Sequence, residues 1–146
     1  MEDASLGILM FGLAAVKIFI LLMILGKLAS LFGWMKVFKK AGMEPWTAFI
    51  PLYASYAQFD LVWEGTPFFI MLASGILGGI IGLSSFILFR IIGMLLGFVS
   101  GAIYFLCMDK LAYSFGKSRA FAAGLLLLQP IFIIILALSE DEFIPA

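Results

Sequence analysis

The chain has no histidine and only one cysteine, Cys107. These absences exclude a disulfide framework, a Cys/His metal site and histidine-based acid–base catalysis. Cys107 lies inside an apolar run, where a lone cysteine is typical of a small packing residue rather than of a nucleophile. We therefore predict a protein that is not an enzyme and that uses no metal and no cofactor.

Charge is also scarce, since only 12% of the residues are charged while 64% are hydrophobic. A soluble chain of 146 residues has too little interior for that much apolar surface, so lipid is the expected solvent. The apolar runs are continuous rather than alternating, which favours helices over a barrel. Nine basic residues balance nine acidic ones, and nothing in the charge indicates nucleic-acid binding. The sequence predicts an all-α membrane protein whose first partner is the lipid bilayer.

Four apolar stretches have the length of a transmembrane helix, which is about 20 residues. We place these helices at about 6–32, 67–83, 87–112 and 120–138, within a single integral membrane domain of residues 1–146. The turn between the second and third helices falls somewhere between Gly78 and Arg90. The pair Gln129-Pro130 lies inside the last predicted helix, where the amide of Gln129 can help to satisfy the backbone that a proline disturbs.

A further apolar segment, at about 46–63, is interrupted by Pro51 and ends in acidic residues. Its length is at the short limit for a span, so it can cross the membrane, lie on its surface, or enter and return. Trp46, Pro51 and Tyr53 mark its candidate re-entrant part.

The positions of the basic residues separate these alternatives. If the segment spans, Lys36 and Lys40 lie on the opposite side from Lys117 and Arg119; if it does not, all of them share one side. The tendency of cytoplasmic loops to be positive favours the second arrangement. We predict four transmembrane helices plus a re-entrant or interfacial segment, in a bacterial cytoplasmic (inner) membrane, with both acidic termini outside.

Ionisable side chains within apolar runs are costly and therefore candidates for function. This candidate intramembrane polar site comprises Lys17, Asp60, Glu64, Arg90 and Asp109. Lys17 either extends its ammonium towards the headgroups or pairs with an acid, with Asp60 and Asp109 as the available partners. The sequences around the two aspartates lack the glycine-bearing motif of intramembrane aspartyl proteases.

Glycines recur every four residues in the second and third predicted helices, a spacing that lets helix backbones approach closely. The candidate helix-packing residues are Gly75, Gly79, Gly93, Gly97 and Gly101. They serve either packing between these two helices or an interface with another chain.

Two stretches of the chain resemble a family of small bacterial membrane proteins of unknown function. The stretches are WMKVFKKAGMEPWTAFIPLY, from Trp34 to Tyr53, and LAYSFGKS, from Leu111 to Ser118. The resemblance extends over residues from about 30 to 138 and implies a bacterial membrane protein. In some members of that family such a unit is attached to a signal peptidase I domain.

The expected function is association: a non-enzymatic subunit, scaffold or modulator of a membrane complex, with a homo-oligomer or a partner membrane protein. The alternative is a small oligomeric transporter or channel in which the Pro51 segment, Lys17, Asp60 and Asp109 line the path.

Overall fold

The computed structural model describes residues 1–145, and within that range the regular structure is helical, with no strand. The elements in chain order are α1 (Glu2–Lys40), a 3₁₀ helix (Pro45–Phe49), α2 (Pro51–Val62), α3 (Gly65–Gly82), α4 (Ile87–Ser114), α5 (Arg119–Leu127) and α6 (Gln129–Leu138). Three of them, α1, α3 and α4, are long and apolar enough to cross a membrane. The all-helical class is as expected, whereas the expected count of four spans is not confirmed.

Helix α1 is much longer than the stretch at 6–32 that the sequence indicates. Its 39 residues extend over about 58 Å, nearly twice the thickness of a bilayer's hydrocarbon core. It continues to Lys40 because no residue interrupts the backbone before the turn at Gly42, whose φ of 78° suits glycine. Every residue from Met1 to Leu25 is exposed, while Trp34, Val37 and Phe38 are buried. Only the second half of α1 therefore packs against the rest of the protein.

Helices α3 and α4 form an antiparallel hairpin whose backbones meet at glycines. A Cβ atom added to Gly93 would lie only 2.6 Å from Cα of Gly82 and 2.7 Å from the carbonyl oxygen of Gly78. The Ser100 hydroxyl donates a hydrogen bond across the hairpin to the carbonyl of Met71 at 3.0 Å. The glycines thus allow close packing between these helices, which lipid contacts do not replace.

The last predicted helix, at 120–138, is instead two short helices that reverse direction at Leu128. The rings of Phe121 in α5 and Phe132 in α6 lie 5.1 Å apart between centroids. In one continuous helix these residues would be separated by about 16 Å along the axis. The Ser118 hydroxyl caps α5 by accepting from the backbone N–H of Phe121, and Pro130 lies in the first turn of α6. With nine and ten residues, neither helix alone has the length of a span.

The reversal brings the C-terminal tail to the end of the molecule where the basic residues gather. The Lys40 ammonium donates to the carbonyl oxygens of Leu136 at 2.9 Å and of Ser139 at 2.5 Å. The backbone N–H of Ile144 donates to the carbonyl of Ser114 at 2.9 Å. We call this end, which holds the C-termini of α1, α4 and α6, the basic end.

Met1 lies at the far end of α1 from Lys40. If α1 crosses the membrane, the two acidic termini therefore lie on opposite sides. This differs from the expectation that they share one side, because that expectation requires the segment 120–138 to cross.

Candidate functional site

The segment between α1 and α3 leaves the basic end and comes back to it. Lys40, which precedes the segment, donates a hydrogen bond to the C-terminal end of α6. Trp63, near the end of the segment, has its ring centroid 5.1 Å from the ammonium of Lys110, close to the C-terminal end of α4. Helix α2 has 12 residues, or about 18 Å, which is short of the hydrocarbon thickness. Both flanks of the segment therefore lie at one end of α4.

A cleft separates α1 from the α3–α4 hairpin. Within residues 1–145, no Cα atom of α1 comes within 8 Å of α3 or α4. The space between them has a volume of about 680 Å³ and is bounded by α1, the 3₁₀ helix, α2, and one residue each from α4 and α6. Most of its wall is apolar, from Phe19 to Trp34 on α1 and from Ala48 to Ala54 on the other side.

Six polar side chains from four helices line this cleft: Lys27, Ser30, Ser55, Gln58, Tyr104 and Gln129. The side-chain amide of Gln129 donates to the hydroxyl oxygen of Tyr104 at 3.1 Å. The residue Gln58 is only 8% exposed, and its side-chain amide makes no hydrogen bond to another described residue. The Gln58 backbone carbonyl accepts from the Cys107 thiol at 3.6 Å, which places Cys107 as a buried packing residue beside the cleft.

The ionisable residues singled out from the sequence are not brought together. Lys17 is exposed on α1, and no ion pair joins it to Asp60, Asp109 or any other acid within residues 1–145. Asp109 instead pairs with Arg119, with 3.4 Å between Oδ2 and Nε. Asp60 and Glu64 are exposed, and Arg90 is exposed in the first turns of α4. The predicted polar site is therefore dispersed over the surface.

The three residues predicted for the re-entrant segment have different surroundings. Pro51 begins α2 and lines the cleft. Trp46 and Tyr53 are exposed, as are the neighbouring apolar side chains of Phe49, Ile50 and Leu52. An exposed apolar surface of this kind is suited to contact with lipid.

Of the five glycines predicted for helix packing, two have the neighbouring helix where a Cβ atom would be. Gly93 lies at the closest approach of α3 and α4, and Gly75 faces the hydroxyl of Ser100. Gly79, Gly97 and Gly101 have open space where a Cβ would be. The pairing that closes the hairpin uses Gly78 and Gly82 on α3, a second glycine pair with the four-residue spacing that the sequence indicates on this helix.

An ion pair holds the acidic tail at the basic end. The ammonium of Lys117 lies 2.7 Å from Oδ2 of Asp141. The hydrogen bond from Lys117 lowers the pKa of Asp141 below its ordinary value of 3.8. The ring of Phe143 packs 5.5 Å from that of Phe115, so the tail is fixed by an apolar as well as a charged contact.

Most of the residues that line the cleft could not be found by sequence reasoning. Tyr104 and Gln129 are isolated polar residues in apolar runs, and Gln58 is one of several polar residues in its segment. Which of them meet depends on how α1 and α4 approach the start of α6. No group of three or more Cys, Asp or Glu residues suited to a metal ion occurs in the described part of the chain.

These features define an all-helical protein with three candidate membrane spans, two segments that leave and return to a basic end, and a lateral cleft. The chain belongs to a family of unknown function, DUF5684, whose model matches residues 46–145. The matched range begins after α1 and includes every later helix from α2 onwards, as well as the stretch from Leu111 to Ser118. The expectation of an uncharacterised family is thus confirmed. No curated protein and no solved structure matches the chain.

Proposed function

We propose that this protein is a non-enzymatic integral membrane component that acts by association, as a subunit, scaffold or modulator of a membrane complex. The observation that carries the proposal is the exposure of the first 25 residues of the chain, almost all of them in α1. This stretch has the length of a span, yet none of its residues is buried against the rest of the described chain. A chain that contributes a free span to a larger assembly has this arrangement.

The open glycines of the hairpin support the same proposal. Gly79, Gly97 and Gly101 leave backbone accessible on the surfaces of α3 and α4, and small residues of this kind allow close contact between helices of different chains. The partner is a second copy of this chain or another membrane protein.

The proposed setting is a bacterial cytoplasmic membrane with the basic end facing the cytoplasm. In this orientation α1, α3 and α4 cross the bilayer. The segment from Ala41 to Glu64 and the α5–α6 pair are re-entrant or interfacial. The N-terminus lies outside and the acidic tail inside, because the tail is paired with Lys117 at the basic end.

A photocrosslinking scan along the outer part of α1 tests the association. A photoreactive side chain is placed at each position from Ile8 to Val16 in turn, and native membranes are irradiated. A partner helix gives crosslinked products of higher mass that recur every three to four positions, since one face of α1 contacts it. Monomer alone, or equal labelling at all nine positions, would contradict the proposal.

A small oligomeric transporter or channel is the second candidate, favoured by the position of Pro51 in the wall of a cleft that also holds polar side chains. Solute flux through proteoliposomes that is lost in Gln129→Leu would support this function. The absence of flux for every ion and solute tested would count against it.

A further inference from the structure

Three hydrogen-bond donors without acceptors line the cleft between α1 and the α3–α4 hairpin. Lys27 has no ion-pair partner in residues 1–145. Gln58 is buried as a residue, and its side-chain amide, which lines the cleft, makes no hydrogen bond within the same range. Tyr104 accepts from Gln129, and no described acceptor takes its own hydroxyl proton. A cation and two neutral donors facing one space are suited to an oxyanion, which has only acceptor atoms.

The depth of these groups matches the region just below the headgroups on the basic side. Tyr104 lies about 8 Å along α4 from Asp109 and Lys110, the first charged residues towards the basic end. The start of α6 contacts both α1 next to Lys27 and Tyr104 of α4, so Lys27 and Tyr104 lie at a similar depth in the bilayer. A Cβ added to Gly26 of α1 would lie 3.6 Å from Cγ of Pro130, and the adjacent Gln129 bonds to Tyr104. A lysine at this depth reaches the headgroup level through its flexible side chain.

The rest of the cleft is suited to acyl chains. Its α1 wall consists mainly of apolar residues such as Phe19, Met23 and Ile24. Beyond Phe19 a shallow apolar groove of about 380 Å³ continues along α1 as far as Phe11. An occupant with one anionic head and long apolar chains fits both parts.

We propose that the cleft is a binding site for an anionic phospholipid of the leaflet at the basic end. The headgroup phosphate is held by the Lys27 ammonium, the Gln58 amide and the Tyr104 hydroxyl, and an acyl chain follows α1 towards Phe11. The headgroup part of this site is separate from the association proposed above, whereas its acyl-chain groove between Phe19 and Phe11 lies on the same outer part of α1.

The test uses the purified full-length chain in mild detergent, titrated with phosphatidylglycerol or with phosphatidylcholine of the same acyl chains. Bound lipid is counted by native mass spectrometry. We expect phosphatidylglycerol to bind with a stoichiometry of one at the tightest site, and phosphatidylcholine to bind at least about tenfold more weakly, because it has no net negative charge. Equal binding of the two lipids would overturn the proposal.

Variants locate the bound lipid. Lys27→Gln and Gln58→Leu are each expected to weaken phosphatidylglycerol binding about tenfold, and Lys27→Arg to retain it. Lys17→Gln is the matched control, because it removes a second lysine of α1 that does not line the cleft. An equal loss in Lys17→Gln, or no loss in Lys27→Gln, would show that the lipid binds elsewhere.

Quenching of Trp34 fluorescence tests lipid binding in a protein that retains Lys27 and Gln58, so it does not depend on whether the variants at those positions fold. Trp34 lines the cleft, so a Trp46→Phe, Trp63→Phe background leaves it as the sole tryptophan. Phosphatidylglycerol with brominated chains should quench Trp34 in a saturable manner, and unbrominated phosphatidylglycerol should reverse the quenching more effectively than phosphatidylcholine. Quenching that neither saturates nor distinguishes the two competitors would contradict the site.

Discussion

At the scale of single residues, Gly93 is where α3 and α4 come closest. A methyl group at this position would meet the backbone of Gly78 and Gly82 rather than a flexible side chain, so the helices must move apart to accept it. Gly93→Ala should therefore lower the free energy of unfolding by about 1–3 kcal/mol. Titration with a denaturing detergent, followed by circular dichroism, measures this change.

Gly97→Ala is the control for this substitution, since open space surrounds that position. We expect its stability to change by less than about 0.5 kcal/mol. If Gly97→Ala were as destabilising as Gly93→Ala, packing inside the hairpin would not explain the effect.

The attachment of the C-terminal tail to the basic end depends on pH through the ion pair of Asp141 with Lys117. The pKa of Asp141 is lowered by the hydrogen bond from Lys117, so the contact is stabilised while the carboxylate is ionised and is lost as the pH falls through the lowered pKa, below the ordinary value of 3.8. A spin label on Ile144→Cys, an exposed position, should therefore be immobile at neutral pH and become mobile only at a pH below 3.8, the ordinary pKa of an aspartate.

Two variants check the source of that transition. Asp141→Asn should leave the label mobile at every pH, whereas Glu142→Gln should preserve the transition. A label that stays immobile in Asp141→Asn would mean that the packing of Phe143 on Phe115 alone holds the tail.

At the scale of elements, the reversal at Leu128 decides how the chain meets the membrane. The pair Phe121→Cys, Phe132→Cys should crosslink with a short bifunctional reagent, because the two rings face each other across the reversal. In a continuous helix the same cysteines would lie about 16 Å apart. The measurement is the shift of the crosslinked chain on a gel, with Phe121→Cys alone as the control.

A failure of that pair to react, when the neighbouring pair Phe121→Cys, Leu125→Cys does react, would show that residues 119–138 form one helix. The count of spans would then return to four.

The sequence predicts the hairpin helices well and the end of the chain poorly. The helices predicted at 67–83 and 87–112 lie close to the observed α3 and α4, because long apolar runs bounded by glycines and serines leave few alternatives. The pair Gln129-Pro130 stands out in the sequence, but the interpretation of it as a disturbance inside a helix is not what the fold shows. A proline is equally suited to the first turn of a new helix, and hydropathy does not distinguish these two cases.

The cleft could not be predicted for a related reason. Hydropathy and charge identify ionisable residues such as Lys17 and Asp60, but they do not tell which helices stay apart. Gln58 and Tyr104 face a cleft because no Cα atom of α1 lies within 8 Å of one in α3 or α4 in the described chain, which is a property of the packing and not of a local pattern.

At the scale of the whole molecule, α1 joins the common core at the basic end and stays apart from the α3–α4 hairpin away from that end. The buried side chains support this arrangement, since Phe38, Phe59, Met108, Leu125 and Leu136 come from five helices and all lie in one core. The outer part of α1 contributes nothing to that core. We therefore predict a rigid basic end and an opposite end at which α1, separate from the α3–α4 hairpin, is free to contact lipid or other chains.

The three-span arrangement is tested most directly by finding on which side of the membrane four residues lie. Single cysteines replace Asp3, Glu44, Glu64 and Glu142 in a Cys107→Ala background, and an impermeant thiol reagent is applied to intact cells and to inverted membrane vesicles. We predict that residues 44, 64 and 142 react from the cytoplasmic side and that residue 3 reacts from the outside. Labelling of residue 142 from the same side as residue 3, or of residues 44 and 64 from opposite sides, would contradict the three-span arrangement.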